Sequence, residues 1–365
     1  MFDPVYISDI NCVTPLGSNI AANWRALLQG ESGIRRHHLR HLDTIYTSKF
    51  GESFQKQEGF SFLESLLVHA AAPIVKDKTF TARTGFILSS TKGNIEILAQ
   101  GTTEGAELFR MAKKIAEHLG VLTRPVVVSH ACVSGVLAVV VAKRLIQMGQ
   151  FDEVLVVAGD QVSEFVVSGF GAFQAMSDEP CRPFDKDRKG VTLGEATAAC
   201  WVTKRKPDTG MEIIGDGAIN DANHISGPSR TGEGLYRSIT AAFKEAGIEW
   251  VDVDFISAHG TATLYNDEME AIAFERAGLV NTPVQSLKGY YGHTLGASGL
   301  LELVIAIQSV LNNTLIPTKG YAENGTTKPI QIIQDIRVTP LSVVLKTASG
   351  FGGSNVATIL KKVVH

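Results

Sequence analysis

Residues 125–149, PVVVSHACVSGVLAVVVAKRLIQMG, decide the fold of this chain. Three consecutive valines make Pro125–Ser129 a β-strand, because β-branched side chains suit a pleated, packed surface. A few small residues and Cys132 follow, and then a helix that is apolar on nearly every side. A helix without a polar stripe is buried all round, so layers of structure lie on both sides of it. The apolar run Ala131–Ala142 stops at Lys143, well short of the ~20 residues that cross a bilayer. It is therefore the interior helix of a globular protein, and no membrane span is expected.

The alternation of strand and helix continues in both directions. VYIS at Val5, TGFILS at Thr84 and EVLVVAG at Glu153 read as strands, and the segment from Thr102 to Gly120 keeps helical spacing and ends on glycine. A second series opens with MEIIGDGAI at Met211. It continues through a helix from about Gly232 to Ala246, the strand VDFIS, a helix near Asp267 and the strand TPVQS. This pattern predicts an α/β protein whose sheets are covered on both faces. We expect two similar halves, residues 1–210 and 211–365. The polar, turn-rich piece EPCRPFDKDRKG, from Glu179 to Gly190, is expected to form a surface or site-lining loop.

Composition narrows the function classes. The 365 residues carry 34 Lys+Arg against 37 Asp+Glu, so no broad field favours nucleic acid or an anionic membrane. The opening MFDPVYISDI lacks the basic start and apolar core of a secretory signal, and a cytoplasmic location is expected. Cys12, Cys132, Cys181 and Cys200 are scattered without zinc spacing or disulfide density, so reduced thiols are the expectation.

Cys132 sits where strand gives way to helix. There the positive end of the helix dipole and unpaired amides favour a thiolate and could hold an oxyanion. Taken alone it is more simply read as a small core residue, the commoner fate of a lone buried cysteine. The second half supplies its company. His259 directly follows a strand and precedes a Gly-Thr turn. Lys288 and His293 share the glycine-rich segment SLKGYYGHTLGASG ahead of a second apolar helix. A lysine beside a buried helix needs a paired charge, and Glu302 on that helix is the candidate. Phe351 stands among Gly350, Gly352 and Gly353, in a loop able to present an amide or swing an aromatic ring.

Together these segments resemble the β-ketoacyl-acyl carrier protein synthase family of the Cys-His-His type. The resemblance runs nearly end to end, through ISDINCVTPLGSNI, ACVSG, CRPFDKDRKGVTLGEA, HISGPSRTGEG, HGTATLYND, KGYYGHTLGASG and GFGGSN. It implies a thiolase-like fold of five layers, α-β-α-β-α, and decarboxylative condensation of an acyl thioester with a malonyl unit, with neither cofactor nor metal. By the same resemblance Cys132 accepts the acyl group, His259 and His293 assist decarboxylation, and Lys288 orders the site. Phe351 gates the pocket, and its amide joins that of Cys132 in the oxyanion hole. Glu270 and Glu302 match supporting acids. Implied partners are an acyl carrier protein bearing acyl or malonyl phosphopantetheine, and a second subunit, as a homodimer or a heterodimer with another ketosynthase-like chain.

The chain also departs from the family pattern. It is short before Arg83, Glu268 replaces a frequent lysine, and Gly289-Tyr290-Tyr291 replaces a Ser-Met-Thr run. These changes point to a specialised polyene or polyketide enzyme. A thiolase would need a second, C-terminal cysteine, and none follows Cys200. Initiating synthases of the same fold carry asparagine where His293 stands. The remaining alternative is a non-catalytic partner resembling a chain-length factor, a class of chain that usually lacks the nucleophile.

Overall fold

The structure, a computed structural model, describes residues 3–38, 44–51, 54–221, 225 and 227–364. Part of the HISGPSRTGEG segment thus lies outside the described residues. Eleven strands among those described form one folded sheet. In chain order they are β1 (Tyr6–Val13), β2 (Thr84–Ser89), β3 (Val126–Val128), β4 (Glu153–Asp160), β5 (Ala196–Thr203), β6 (Met211–Asn220), β7 (Phe255–Ser257), β8 (Pro283–Gln285), β9 (Gln331–Ile332), β10 (Val343–Gly350) and β11 (Ser354–Lys362). The first five lie in the order β3-β2-β4-β5-β1, and β6 to β11 repeat it as β8-β7-β10-β11-β6, with β9 added at the edge. Pair directions repeat as well. β2 is parallel to β3 and β4, as β7 is to β8 and β10, the added β9 is parallel to β8, and the remaining ladders of each run are antiparallel.

The two runs meet edge to edge with Tyr6 opposite Glu212 and Ile7 opposite Met211, and the Ile213 amide donates to Val5 O at 2.9 Å. The expected boundary at residue 210 falls just before β6.

Helices complete five layers. α1 (Phe62–Val75) and α2 (Leu108–Leu119) cover the outer face of the first sheet around Phe86, Leu155 and Trp201. α3 (Ser134–Gln147) and, near the C-terminal half's own site segment, α7 (Ser298–Leu311) lie together between the sheets. α5 (Glu233–Ala246) and α6 (Leu264–Arg276) pack outside the second sheet around Phe255's neighbours Ile256, Leu345 and Ile359. The short α4 (Glu164–Ala172) follows β4 and stands beside the site. Where α3 and α7 cross, a Cβ on Gly135 would stand 2.5 Å from the Leu300 amide nitrogen, and one on Gly299 would stand 2.7 Å from that of Val136. Only glycine allows so close an approach.

Two expectations need correction. The helix expected over Thr102–Gly120 begins only at Leu108, because Gly101 and Gly105 adopt left-handed φ values of 76° and 88° that stop a helix. Of the two readings of Glu179–Gly190, the site-lining one holds at its end, where Lys189 and Gly190 line a cavity, and the surface one fails for much of the rest. Cys181, Phe184, Asp185 and Arg188 are buried, and the Phe184 amide donates to the Asp267 carboxylate at 2.7 Å. Among the described residues no helix is long and apolar enough to cross a membrane.

Candidate active site

The C-terminal ends of β3, β7 and β8 and the loop between β10 and β11 converge on a cavity of about 300 Å³. Cys132, His259, His293 and Phe351 all line it. Cys132 stands one residue ahead of the α3 N-cap, Val133, rather than within the first turn. The bend before it is tight. Ala131 has a left-handed φ of 46°, a costly conformation for a residue with a Cβ, and Ser134 Oγ braces it by donating to Ala131 O at 2.6 Å and accepting the His130 amide at 2.7 Å.

Each histidine is held by its backbone. The amides of His259 and Gly260 donate to the two oxygens of Glu270 at 2.8 and 2.6 Å, so a buried acid on α6 fixes the turn after β7. His293 follows a one-turn helix, Lys288–Tyr291, and its amide donates to Thr192 O at 2.6 Å. The two rings are perpendicular, with centroids 5.2 Å apart.

The ring protons can be placed from their neighbours. Leu295 N–H donates to His293 Nδ1 at 3.1 Å, and the Lys288 ammonium lies 3.3 Å from His259 Nδ1. Both Nδ1 atoms face donors, so both protons sit on Nε2. Both rings are also neutral. Burial, reinforced by Lys288, lowers His293 to about 3, and the same two causes hold His259 well below the usual imidazole range.

A nitrogen from each histidine and Cys132 Sγ lie within 4.8 Å of one another, a spacing a soft metal ion could bridge.

The thiol itself differs from expectation. Burial pushes Cys132 up to about 11 against the opposing pull of Lys288, the Phe351 amide and Lys92. Loss of water around the sulfur is the largest influence on this group, and it exceeds the pull of Lys288 and the Phe351 amide toward the thiolate.

Beneath the cavity is a charge cluster wider than a single pair. Glu302 Oε1 accepts from Lys288 Nζ at 2.6 Å and from Ser298 Oγ at 2.9 Å, while Oε2 accepts from Lys346 Nζ at 2.7 Å. All three charged groups are buried. Burial alone would raise the Glu302 carboxyl, but Lys288 and Lys346 hold it below the usual carboxylate range. Lys288 also donates to His259 O at 2.5 Å, so the cluster reaches a site histidine directly.

Sequence reasoning named Glu302 for Lys288 but missed Lys346. The signal was present, since a lysine inside the apolar strand run VVLKTAS needs a buried partner. Asp160 was also missed. At the end of β4, its carboxylate accepts from Thr91 Oγ1, Ser90 Oγ and the Gly296 amide at 2.8, 2.8 and 2.7 Å, tying the first half to the segment after His293. Phe351 is flanked by two rings of the α4 region. Phe170 stacks at 5.5 Å and Phe173 meets it edge-on at 5.4 Å.

Comparison with known proteins gives a consistent result. Residues 85–208 match the family described as beta-ketoacyl synthase, N-terminal domain, and residues 211–322 match its C-terminal domain. A 3-oxoacyl-[acyl-carrier-protein] synthase 2 of Vibrio cholerae is 26% identical over 410 aligned positions, covering 98% of this chain and 99% of the relative. One from Rhizobium meliloti is 34% identical over 251 positions, covering 64% and 59%. Among solved structures, the complex of the ketosynthase ApeO with its chain length factor ApeC from Xenorhabdus doucetiae matches with a TM-score of 0.89 at 25% identity, covering 99% of this chain and 98% of that one.

Proposed function

The chain belongs to the β-ketoacyl synthase family, and we propose that in it Cys132 carries the acyl group while His259 and His293 drive decarboxylation of the malonyl unit. The observation that carries this reading is the meeting of one thiol with two neutral imidazoles, both bearing Nε2–H, in a single cavity.

In the first half-reaction Cys132 Sγ loses its proton and attacks the carbonyl carbon of an acyl thioester. The tetrahedral oxyanion is received by the amides of Cys132 and Phe351, and the carrier's pantetheine thiolate leaves and takes up a proton. In the second, the malonyl thioester loses carbon dioxide, and charge develops on its thioester oxygen. Two Nε2–H donors suit that oxygen, and their hydrogen bonds strengthen as the enolate forms. The enolate carbon then attacks the acyl-Cys132 carbonyl, the Cys132 thiolate departs and takes up a proton from water, and a β-ketoacyl thioester remains on the carrier. Lys288 and Glu270 position His259 and take no proton.

We place the acyl carrier protein at the cavity mouth, and a second copy of the chain or a ketosynthase-like subunit as its companion. A non-catalytic companion role is the weaker reading, since it leaves the assembled thiol and imidazoles without a use.

The half-reactions separate by mutation. His293→Ala should still form an acyl adduct at Cys132 but release little carbon dioxide from a malonyl thioester, since removing one such donor typically costs ~100-fold or more. Cys132→Gln should fail to load yet retain decarboxylation. Loss of loading with intact decarboxylation in His293→Ala would overturn the division of labour.

A further inference from the structure

The two amides assigned to the oxyanion hole come from different segments, Cys132 from the bend after β3 and Phe351 from the β10–β11 turn. Something must set their spacing. The turn approaches the bend closely at one point, since a Cβ on Gly350 would lie 3.1 Å from the Cys132 nitrogen and 3.3 Å from Ala131 Cβ. Close approach alone limits how near the turn can come but does not stop it from swinging away.

A second link does. His130 Nε2 lies 2.8 Å from Ser354 Oγ, and Ser354, buried at the start of β11, also reaches back to Phe351 O at 3.5 Å. On the other side, the His130 amide is fixed by Ser134 Oγ at the first residue of α3. His130 therefore spans from the nucleophile bend to the base of the Phe351 turn, with Ala131 held in its strained conformation between its own backbone and Cys132. Nothing in the proposed chemistry uses this imidazole, which is exposed and not among the residues lining the cavity.

We infer that His130 is a positioning residue whose bond to Ser354 clasps the nucleophile bend to the Phe351 turn and so fixes the distance between the two oxyanion amides. The inference rests on the reading of Cys132 as acyl acceptor. It makes a selective demand. Acyl transfer passes through a tetrahedral oxyanion at those amides, whereas decarboxylation develops its charge against His259 and His293. Loosening the clasp should slow the first and spare the second.

The test uses the full-length protein with hexanoyl-N-acetylcysteamine as acyl donor and malonyl-N-acetylcysteamine for decarboxylation. His130→Ala should slow loading of Cys132 about 10- to 100-fold, the range expected when a catalytic contact is displaced rather than deleted. The concentration dependence on the acyl donor and the release of labelled carbon dioxide should match wild type. His130→Gln, whose amide reaches about as far as Nε2, should restore most of the loading rate. Ser354→Ala should mimic His130→Ala, and the double variant should be no slower than either alone. Wild-type loading in His130→Ala, equal loss in both half-reactions, or failure of His130→Gln to rescue would each overturn the inference. If the wild-type protein formed no adduct at Cys132, the functional reading itself would be at fault.

Discussion

Replacing Glu302 by glutamine removes the one negative charge between two buried ammonium groups while keeping the side chain's shape. In the native protein Lys288 and Lys346 approach the carboxylate at 2.6 and 2.7 Å, with all three groups out of contact with water. The variant leaves both cations facing a neutral amide and each other. Stranding one buried charge typically costs about 3–5 kcal/mol, and two are stranded here, so that figure is the lower expectation. At an unfolding entropy of about 2.1 cal/mol/K per residue over this chain, the loss lowers the midpoint of thermal unfolding by roughly 4–7 °C. Circular dichroism melts at one fixed scan rate would measure it.

The sign of a second change is more decisive. Adding Lys346→Met to Glu302→Gln removes one of the stranded cations, so the double variant should melt above the single. A Glu302→Gln protein within about 1 °C of wild type would show that the cluster is solvated. A double variant less stable than the single would show that the cations do not repel, and either result refutes the argument.

Alkylation of Cys132 by iodoacetamide should rise about tenfold per pH unit from pH 6 to pH 10, because only the thiolate reacts and its fraction climbs until pH passes the raised pKa of about 11. A rate that levels off by pH 8 would mean that the helix end or Lys288 has lowered the thiol after all. Phe173→Ala removes the edge contact on Phe351, worth about 0.5–1.5 kcal/mol, so amide hydrogen exchange in the turn 350–353 should quicken roughly 2- to 10-fold. Unchanged exchange would show that Phe170 alone holds the ring.

Much of this was legible in the sequence, for identifiable reasons. The run 125–149 fixes an interior helix because no face of it is polar, and α3 lies between two sheets as that requires. Lys288 needed a counter-charge, and Glu302, one apolar helix away, supplies it. The repeated strand order was not legible, because pairing among distant strands leaves no local trace. The raised pKa of the thiol was not legible because dipole arguments are local, whereas desolvation depends on everything packed around Cys132. Lys346 escaped because its partner lies 44 residues away. His130 escaped too, since its partner Ser354 belongs to the other half.

The central claim is that one particular sulfur carries the acyl chain. Incubating the protein with a hexanoyl thioester, then measuring intact mass and mapping the modified peptide, tests it most directly. A single hexanoyl adduct is expected on Cys132, absent from Cys132→Ala and unaffected by changing the other buried cysteines, Cys12, Cys181 and Cys200. Label on any of those three, or an intact mass that never shifts while the fold is intact, would contradict it.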